Sequence, residues 1–251
     1  MNISNQELNL FARQLILKEF NEKVFEKIQS QHVTLVGLGG IGCPAAQYLL
    51  ATGVKKITLI DGDIVQLSNL NRQILYSIND IGKKKVDVAK IKLQGINPNC
   101  QIVNIPTKLT EDNLHNSLMK SSLVIDTTDN WSSMLLINEY CVQNFIPLIS
   151  SSVVGYDGQV ILFKNKKNHH LCLNCIYPNK DEPDIARCDR VGILGTTAGL
   201  TGLTVAQTVI NFFTNSYENF NKLIMINSKT LKIDHIKVKE NIKCICNKTN
   251  S

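Results

Sequence analysis

The chain has 251 residues, of which 43% are hydrophobic and 19% charged, a balance typical of a folded globular protein rather than a disordered one. Its formal net charge of +6 comes from scattered Lys and Arg residues, and no basic stripe with interleaved aromatic residues predicts a nucleic-acid-binding surface. Because the N-terminal residues show no basic region followed by an apolar run, we expect a cytoplasmic protein without a membrane anchor.

The first two thirds of the chain alternate between helical and strand patterns. A helical pattern at Glu7–Ile28 precedes a strand at Val33–Val36, which runs into a glycine-rich turn and a helix with Pro44 in its first turn. Further strands are predicted at Ile57–Ile60, Ile102–Ile105, Leu123–Ile125 and Pro147–Ser151, and further helices at Val86–Leu93, Glu111–Met119 and Ser132–Asn144. This alternation predicts an α/β fold with a Rossmann-like, doubly wound and mostly parallel sheet.

Beyond Gly155 the pattern changes. Gln159–Phe163, Leu223–Ile226 and Leu231–Val238 resemble strands of a more antiparallel part. The uncharged stretch Val191–Tyr217 is long enough to span a membrane, but about half its residues are Gly, Thr, Asn, Gln or Ser, which favours a buried or interface helix. No linker divides the chain, so we expect a single domain over residues 1–251, with a nucleotide-binding half at about 30–155.

The glycine-rich turn Gly37-Leu38-Gly39-Gly40-Ile41-Gly42 favours a phosphate or nucleotide site, because small residues let backbone N–H groups and a helix N-terminus approach an anion. Asp61 ends the next strand, where a carboxylate can accept hydrogen bonds from ribose hydroxyls. Alone, this pattern is typical of a nicotinamide-dependent oxidoreductase. The cations Arg72 and Lys85, which follow shortly after, favour a triphosphate instead.

Six elements in order carry a family resemblance: Arg13-Gln14, Gly37–Gly42, Asp61-Gly62-Asp63, Ser68-Asn69-Leu70-Asn71-Arg72-Gln73, Lys85 and Asp126-Thr127-Thr128-Asp129-Asn130. From about Leu8 to Cys246 the chain resembles the ThiF/MoeB/HesA family, bacterial relatives of ubiquitin-activating enzymes. The resemblance implies ATP- and Mg²⁺-dependent adenylation of the C-terminal glycine of a ubiquitin-like sulfur carrier, ThiS-like or MoaD-like, in thiamine or molybdenum-cofactor synthesis. It also implies that residues of about 156–251 bind the carrier, zinc and a second subunit.

The resemblance assigns roles to individual residues. Gly40 and Asp61 match adenosine contacts, Asp129 matches the magnesium-binding acid, and Arg13 matches an arginine that reaches into the partner subunit's site of a homodimer. The expected nucleotide-binding residues are Gly37, Gly39, Gly40, Gly42, Asp61, Asp63, Ser68, Asn69, Leu70, Asn71, Arg72, Gln73, Lys85, Asp129 and Asn130, with Asn69, Arg72 and Lys85 at the phosphates.

Taken singly, several of these residues have simpler explanations. Lys85 ends the run Lys83-Lys84-Lys85, and such runs are usually solvated helix ends. An arginine such as Arg13, taken alone, is more often a surface residue of an N-terminal helix, and Asp129 is also suited to cap the helix that begins near Trp131 or Ser132. Two other functions also remain open at this point: an ATP-dependent enzyme of the same superfamily acting on a tRNA base, and a binding protein with a vestigial site.

Eight cysteines without an export signal favour reduced thiols, metal ligands or a reactive sulfur over disulfides. Two pairs, Cys172/Cys175 and Cys244/Cys246, can surround zinc tetrahedrally, and the family resemblance implies a structural zinc. The second pair is Cys-x-Cys where the family usually has Cys-x-x-Cys, so His169 or His170 is an alternative ligand. Cys43, Cys100 and Cys141 are expected to be small apolar residues.

Cys188 has a different setting, between Arg187 and Arg190. Nearby cations lower the pKa of a thiol and make it a better nucleophile. By resemblance, Cys188 matches a loop cysteine that forms a covalent link with the carrier in some family members, which predicts a role in sulfur transfer. The chain shows no rhodanese-like extension, so a separate sulfur donor is expected.

Overall fold

The chain is described as a computed structural model over residues 4–165, 171–178, 192–214, 216, 220–241, 244 and 246. The α-helices within these ranges are α1 (Asn5–Leu15), α2 (Glu22–Gln29), α3 (Gly42–Ala51), α4 (Lys85–Gln94), α5 (Glu111–Leu118), α6 (Trp131–Gln143), α7 (Leu173–Ile176) and α8 (Gly195–Phe213). The strands are β1 (His32–Val36), β2 (Lys56–Ile60), β3 (Gln101–Ile105), β4 (Leu123–Asp126), β5 (Leu148–Val154), β6 (Asp157–Phe163), β7 (Lys222–Asn227) and β8 (Lys232–Lys237).

All eight strands form one sheet in the order β3-β2-β1-β4-β5-β6-β7-β8. The first five strands of that order run parallel, whereas β6, β7 and β8 pair antiparallel to their neighbours. The predicted fold class, a Rossmann-like parallel sheet that continues into an antiparallel C-terminal part, is therefore confirmed. The chain reverses its winding direction between β1 and β4, and ligands of open α/β sheets bind at this kind of point.

Two apolar cores cover the two faces of the sheet. Along β1 the alternation of side chains places Val33 and Leu35 in one core, together with α1 to α4 and α8, and Val36 in the other, together with α5 to α7. Helices α3 and α8 pack against each other beneath β1, β5 and β6. Because both faces are covered, the carboxyl ends of the parallel strands are left as the accessible edge.

One prediction about the N-terminal region was wrong. The helical pattern over Glu7–Ile28 forms two helices, because α1 ends at Leu15 and α2 begins at Glu22. The Asn21 side chain accepts a hydrogen bond from Val24 N at 3.2 Å and so caps the second helix. Periodicity alone overlooked this cap signal.

The uncharged stretch forms α8, whose buried residues include Ala198, Val205 and Val209. This is the buried helix expected from its mixed composition. In the described residues we find no helix whose length and hydropathy suffice to span a bilayer.

Candidate functional site

A cleft of about 570 Å³ opens at the carboxyl ends of the parallel strands. Each strand of this part contributes a wall residue at or just beyond its end: Gly37 after β1, Asp61 after β2, Lys108 beyond β3, Thr127 after β4 and Ser152 near the end of β5. Charged side chains lie towards β2 and β3 and, at Asp129, just after β4, whereas Val153 and Val154 of β5 form an apolar wall. The cleft therefore has a charged end at β2 and β3 and an uncharged end at β5.

The glycine-rich turn forms the floor of the cleft. Gly37 has φ of 91°, and a Cβ there would lie 2.9 Å from the carbonyl oxygen of Thr127, so this position requires glycine. A Cβ on Gly42 would lie 2.0 Å from the Gly37 carbonyl oxygen, which assigns Gly42 to the tightness of the turn rather than to the cleft wall. Gly39 and Gly40 line the cleft at the start of α3, where backbone N–H groups attract anions.

Asp61 is a buried carboxylate fixed by two backbone donors. Its Oδ2 accepts a hydrogen bond from Leu38 N at 2.7 Å, and its Oδ1 accepts one from Asp63 N at 2.8 Å. The side chain is only 8% exposed but borders the cleft. Asp61 thus joins the glycine-rich turn to the end of β2 in a fixed orientation.

Lys85 is not a solvated lysine at a helix end. It is the first residue of α4, only 6% exposed, and it lines the cleft. Its Nζ donates to Asp63 Oδ2 at 3.2 Å and lies 4.0 Å from Asp61 Oδ2. Lys83, by contrast, is 60% exposed. The simpler explanation of the lysine run therefore holds for Lys83 and fails for Lys85.

Arg72 enters the cleft from the segment that follows β2. Its guanidinium donates from one nitrogen to the carbonyl oxygen of Ser68 and to Asn71 Oδ1, both at 3.0 Å. Asn71 and Gln73 also line the cleft. Gln73 is 4% exposed, and its Oε1 has no hydrogen-bond partner among the described residues.

The remaining residues of the string that carries Arg72 lie behind the cleft wall. Asn69 Oδ1 accepts from Gln66 N at 3.2 Å, which closes the short 3-10 helix Leu67–Asn69. Leu70 packs against the larger apolar core. Ser68, Asn69 and Leu70 therefore support Arg72, and their direct contact with a nucleotide stays a prediction.

Asp129 and Asn130 both border the cleft but differ in role. Asn130 caps α6, because its Oδ1 accepts from Ser133 N at 2.9 Å. Asp129 is therefore not the helix cap, and its exposed carboxylate faces the cleft.

Asp126, three residues earlier, is fully buried and holds this loop. Its Oδ1 accepts from the N–H and hydroxyl groups of Thr128, and burial raises its pKa to about 6. The backbone that presents Asp129 is thus fixed from inside the protein.

Two aromatic side chains at the uncharged end were missed by the sequence analysis. Trp131 and Tyr177 line the cleft with ring centroids 5.3 Å apart and ring planes at 86°. Trp131 begins α6, shortly after the end of β4, and this position is a signal that could have found it, whereas Tyr177 follows the distant α7. Lys108, also missed, follows β3 and lies 3.7 Å from Asp63 Oδ1.

The four paired cysteines converge despite their unequal spacing. The Sγ atoms of Cys172, Cys175, Cys244 and Cys246 all lie within 4.8 Å of one another. The Sγ atoms of Cys172 and Cys244 are 3.4 Å apart and those of Cys175 and Cys246 are 3.6 Å apart, too distant for disulfide bonds. Hydrogen bonds from the thiols of Cys172 and Cys246 lower the pKa of Cys175, as expected for a thiolate among close sulfurs. The cluster has the composition of a metal site and brings the end of the described chain to α7, which Cys172 precedes and which contains Cys175.

The sequence model of the ThiF family matches residues 11–247. This span includes the cleft and the cysteine cluster. The chain belongs to the ThiF family.

Related proteins agree with this assignment. The sulfur carrier protein adenylyltransferase of Thermus thermophilus is 32% identical over 84% of this chain and 79% of its own length. UBA4 of Meyerozyma guilliermondii, an adenylyltransferase and sulfurtransferase, is 33% identical over 98% of this chain and 59% of its own length. MOCS3 of Culex quinquefasciatus is 35% identical over 83% of this chain and 47% of its own length. This ThiF-family chain thus spans about half the length of the UBA4 and MOCS3 relatives.

Solved structures share the fold of this ThiF-family chain. E. coli MccB with MccA-N7isoASN has a TM-score of 0.81 at 21% identity and covers 99% of this chain and 76% of that one. PaaA has a TM-score of 0.79 at 22% identity and covers 95% of this chain and 76% of that one. These likenesses support the α/β architecture with its mixed sheet.

Two residues expected from the ThiF/MoeB/HesA resemblance lie away from the cleft or outside the described residues. Arg13 is exposed in the last turn of α1 and does not line the cleft of its own chain. Cys188 lies outside the described residues, as do His169 and His170. The roles of these residues stay predictions.

Proposed function

We propose that this ThiF-family chain adenylates the C-terminal glycine carboxylate of a ubiquitin-like sulfur carrier, releasing pyrophosphate. The observation that carries the proposal is the cleft itself, where the glycine-rich turn, Arg72, Lys85 and Asp129 converge at the strand ends. Three relatives are named adenylyltransferases, one of them a sulfur carrier protein adenylyltransferase, and these names support the proposal. The carrier would serve thiamine or molybdenum-cofactor synthesis.

In this proposal, ATP binds along the charged end of the cleft. Asp61 accepts hydrogen bonds from the ribose hydroxyls, and the N–H groups of Gly39 and Gly40 face the phosphates. Arg72 and Lys85 supply positive charge beside the phosphates. These roles are supported by the position of all these groups around one cleft, where Lys85 is buried and paired with Asp61 and Asp63.

The reaction is a displacement at the α-phosphorus. A carboxylate oxygen of the carrier forms a bond to this phosphorus, and the bond from phosphorus to the bridging oxygen of the β-phosphate breaks. Pyrophosphate leaves with the electron pair, and negative charge that builds on it is stabilised by Arg72 and Lys85. No proton is transferred, because a C-terminal carboxylate is already ionised at neutral pH.

Magnesium fits the donor set at Asp129, since Mg²⁺ prefers carboxylate oxygens and substrate phosphates. Asp129 is exposed towards the cleft and does not cap α6, so its carboxylate is available for this role. Bound Mg²⁺ supplies charge neutralisation at the phosphates. Arg13 adds a cation from the second subunit of a homodimer, which accounts for its exposed position away from its own cleft.

The carrier's C-terminus enters from the uncharged end. Val153, Val154, Trp131 and Tyr177 surround this end and suit the uncharged backbone of an extended peptide. The terminal carboxylate then reaches the phosphates from the side opposite Asp61. Cys188 takes part in the later sulfur transfer.

Zinc fits the cysteine cluster. Four sulfurs at about 2.3 Å from a tetrahedral zinc ion would lie about 3.8 Å from one another. The Cys172–Cys244 and Cys175–Cys246 distances of 3.4 and 3.6 Å are near this value, and all four Sγ atoms lie within 4.8 Å of one another. The four cysteines would hold zinc as a structural ion that connects the chain end to α7. Tyr177 follows α7 directly, so this connection also fixes one wall of the cleft.

The test is ATP–pyrophosphate exchange, measured with a glycine-glycine-ended carrier, with tRNA, and with neither. We expect exchange with the carrier alone. Exchange that needs tRNA would favour the tRNA-modifying function instead of the carrier function. No exchange in any mixture would contradict adenylation.

A further inference from the structure

We infer that Tyr76 is a positioning residue that holds the glycine-rich turn against the segment carrying Arg72 and thereby sets the affinity for ATP. This inference rests on the proposed nucleotide binding. Tyr76 does not line the cleft, and neither the sequence motifs nor the family resemblance assigns it a role.

Leu38, which separates Gly37 from Gly39, is restrained at its side chain, its backbone N–H and its carbonyl oxygen. Its side chain is fully buried in the larger core, and its N–H donates to Asp61. Its carbonyl oxygen accepts two hydrogen bonds, from the Tyr76 hydroxyl at 3.1 Å and from Cys43 Sγ at 3.3 Å. The Leu38 carbonyl therefore points into the protein, while Gly39 and Gly40 border the cleft.

Both donors to this carbonyl are fixed in their protonated forms. Burial raises the pKa of Cys43 to about 12, and burial together with the nearby Cys43 and Asp61 raises the pKa of Tyr76. Of the two, the hydroxyl is the stronger donor, since a thiol is a weak one. The Tyr76 hydrogen bond is therefore the main polar restraint on the Leu38 carbonyl.

Tyr76 belongs to the segment that carries Arg72. Its N–H donates to the Gln73 carbonyl oxygen at 3.0 Å, and the Gln73 N–H donates to the Asn69 carbonyl oxygen at 2.9 Å. This segment and the turn approach closely, because a Cβ on Gly40 would lie 3.3 Å from Arg72 Cγ. Loss of the Tyr76 hydroxyl frees the turn to shift relative to Arg72, so the two groups no longer meet the phosphates together.

Tyr76→Phe tests the inference because it removes the hydroxyl and keeps the buried ring. The matched control is Tyr140→Phe. Tyr140 is also buried, and its hydroxyl also makes a 3.1 Å hydrogen bond, to His115 Nδ1, but it lies in the other core. We expect the two variants to show similar small losses of thermal stability. A second variant, Cys43→Ala, removes the other donor to the same carbonyl.

Binding of Mg–ATP to the full chain is measured by calorimetry without any acceptor. We expect Tyr76→Phe to weaken it about fivefold, Cys43→Ala to weaken it less, and Tyr140→Phe to leave it unchanged. Wild-type affinity in Tyr76→Phe, or equal weakening in Tyr140→Phe, would overturn the inference while leaving the proposed function intact. If the unaltered chain binds no ATP, the proposed function itself fails.

Discussion

Lys85 is joined to Asp63 by two hydrogen bonds, one from its side chain and one from its backbone N–H to the Asp63 carbonyl oxygen. These two hydrogen bonds keep a buried ammonium group beside Asp61 at the cleft. The ammonium group of a flexible surface lysine would instead be solvated by water. A preorganised cation of this kind stabilises developing charge more effectively than one that must be drawn out of water.

Lys85→Met tests this role at the level of one charge. We expect the carrier-dependent exchange rate to fall about 100-fold, because the leaving pyrophosphate loses a fixed cation. Lys83→Met is the matched control, since Lys83 belongs to the same lysine run but is 60% exposed. Similar rates in the two variants, measured by ATP–pyrophosphate exchange, would argue against a special role for Lys85.

Among single residues, those with a defined place relative to a strand end were predictable. Asp61 and Asp129 follow β2 and β4 and reach the cleft as expected. Tyr177 was not predictable, because its place at the cleft depends on the packing of α7 against the distant α6, where Leu173 N donates a hydrogen bond to Asn138 Oδ1 at 2.9 Å. Sequence order also did not reveal that Asn130, and not Asp129, caps α6.

At the scale of elements, α1 is fastened to the sheet by a buried polar network. Glu7 Oε1 accepts hydrogen bonds from Lys55 Nζ at 2.9 Å and from Gln29 Nε2 at 3.0 Å. Burial alone would raise the pKa of Glu7, but hydrogen bonds from Lys55 and Ser4 outweigh it and lower the pKa to about 2. The network fixes the helix that carries Arg13.

The pH dependence of this network has a definite sign. A carboxyl group with a lower pKa in the folded state stabilises that state. The stabilisation is fully present when the pH is above the unfolded pKa of 4.5, and it is lost as the pH falls towards the folded pKa of about 2. We expect Glu7→Gln to lower the free energy of unfolding by about 2 kcal/mol at pH 7 and by about half of that or less at pH 3.

Urea unfolding at both pH values measures this difference. Glu19→Gln, at an exposed residue between α1 and α2, serves as the control. A Glu7→Gln effect that is independent of pH would show that packing, and not the ionised carboxylate, provides the stabilisation.

The cysteine cluster brings together α7 and the end of the described chain. Metal analysis of the purified protein under reducing conditions is expected to give about one zinc ion per chain. Cys244→Ser is expected to lose the metal and lower the thermal midpoint, whereas Cys100→Ser, outside the cluster, keeps the metal. A zinc content near zero in the unaltered protein would remove the proposal of a zinc site.

Element types were largely predictable, because each strand and helix has a matching hydrophobic period. The two helices in place of one at the N-terminus escaped prediction, since a continuous period does not reveal where a cap interrupts it. The cysteine spacing was also ambiguous, because the sequence does not show that the Sγ atoms of a Cys-x-Cys pair reach the same cluster.

For the whole molecule, the proposal is that a second subunit completes each cleft. Arg13 is exposed on α1 and does not line its own cleft. In the proposed homodimer, Lys85 of one subunit and Arg13 of the other act on the same ATP, so neither chain has a complete site alone.

Mixing two impaired variants tests this arrangement. Arg13→Ala and Lys85→Met are each expected to be nearly inactive, but an equal mixture that has exchanged subunits regains about a quarter of the wild-type exchange rate. Half of the dimers in such a mixture combine both variants, and each of these has one intact site. Chromatography of the mixture verifies that dimers are present, and no recovery in such dimers would contradict a shared site.

The fate of the α-phosphate tests the proposed adenylation most directly. The chain is incubated with a glycine-glycine-ended carrier and Mg–ATP labelled at the α-phosphorus, and the carrier is then separated under acidic conditions. We expect the label to remain on the carrier as an adenylyl group, with pyrophosphate released in equal amount. Release of ADP or inorganic phosphate, with no label on the carrier, would contradict adenylation of the carboxylate.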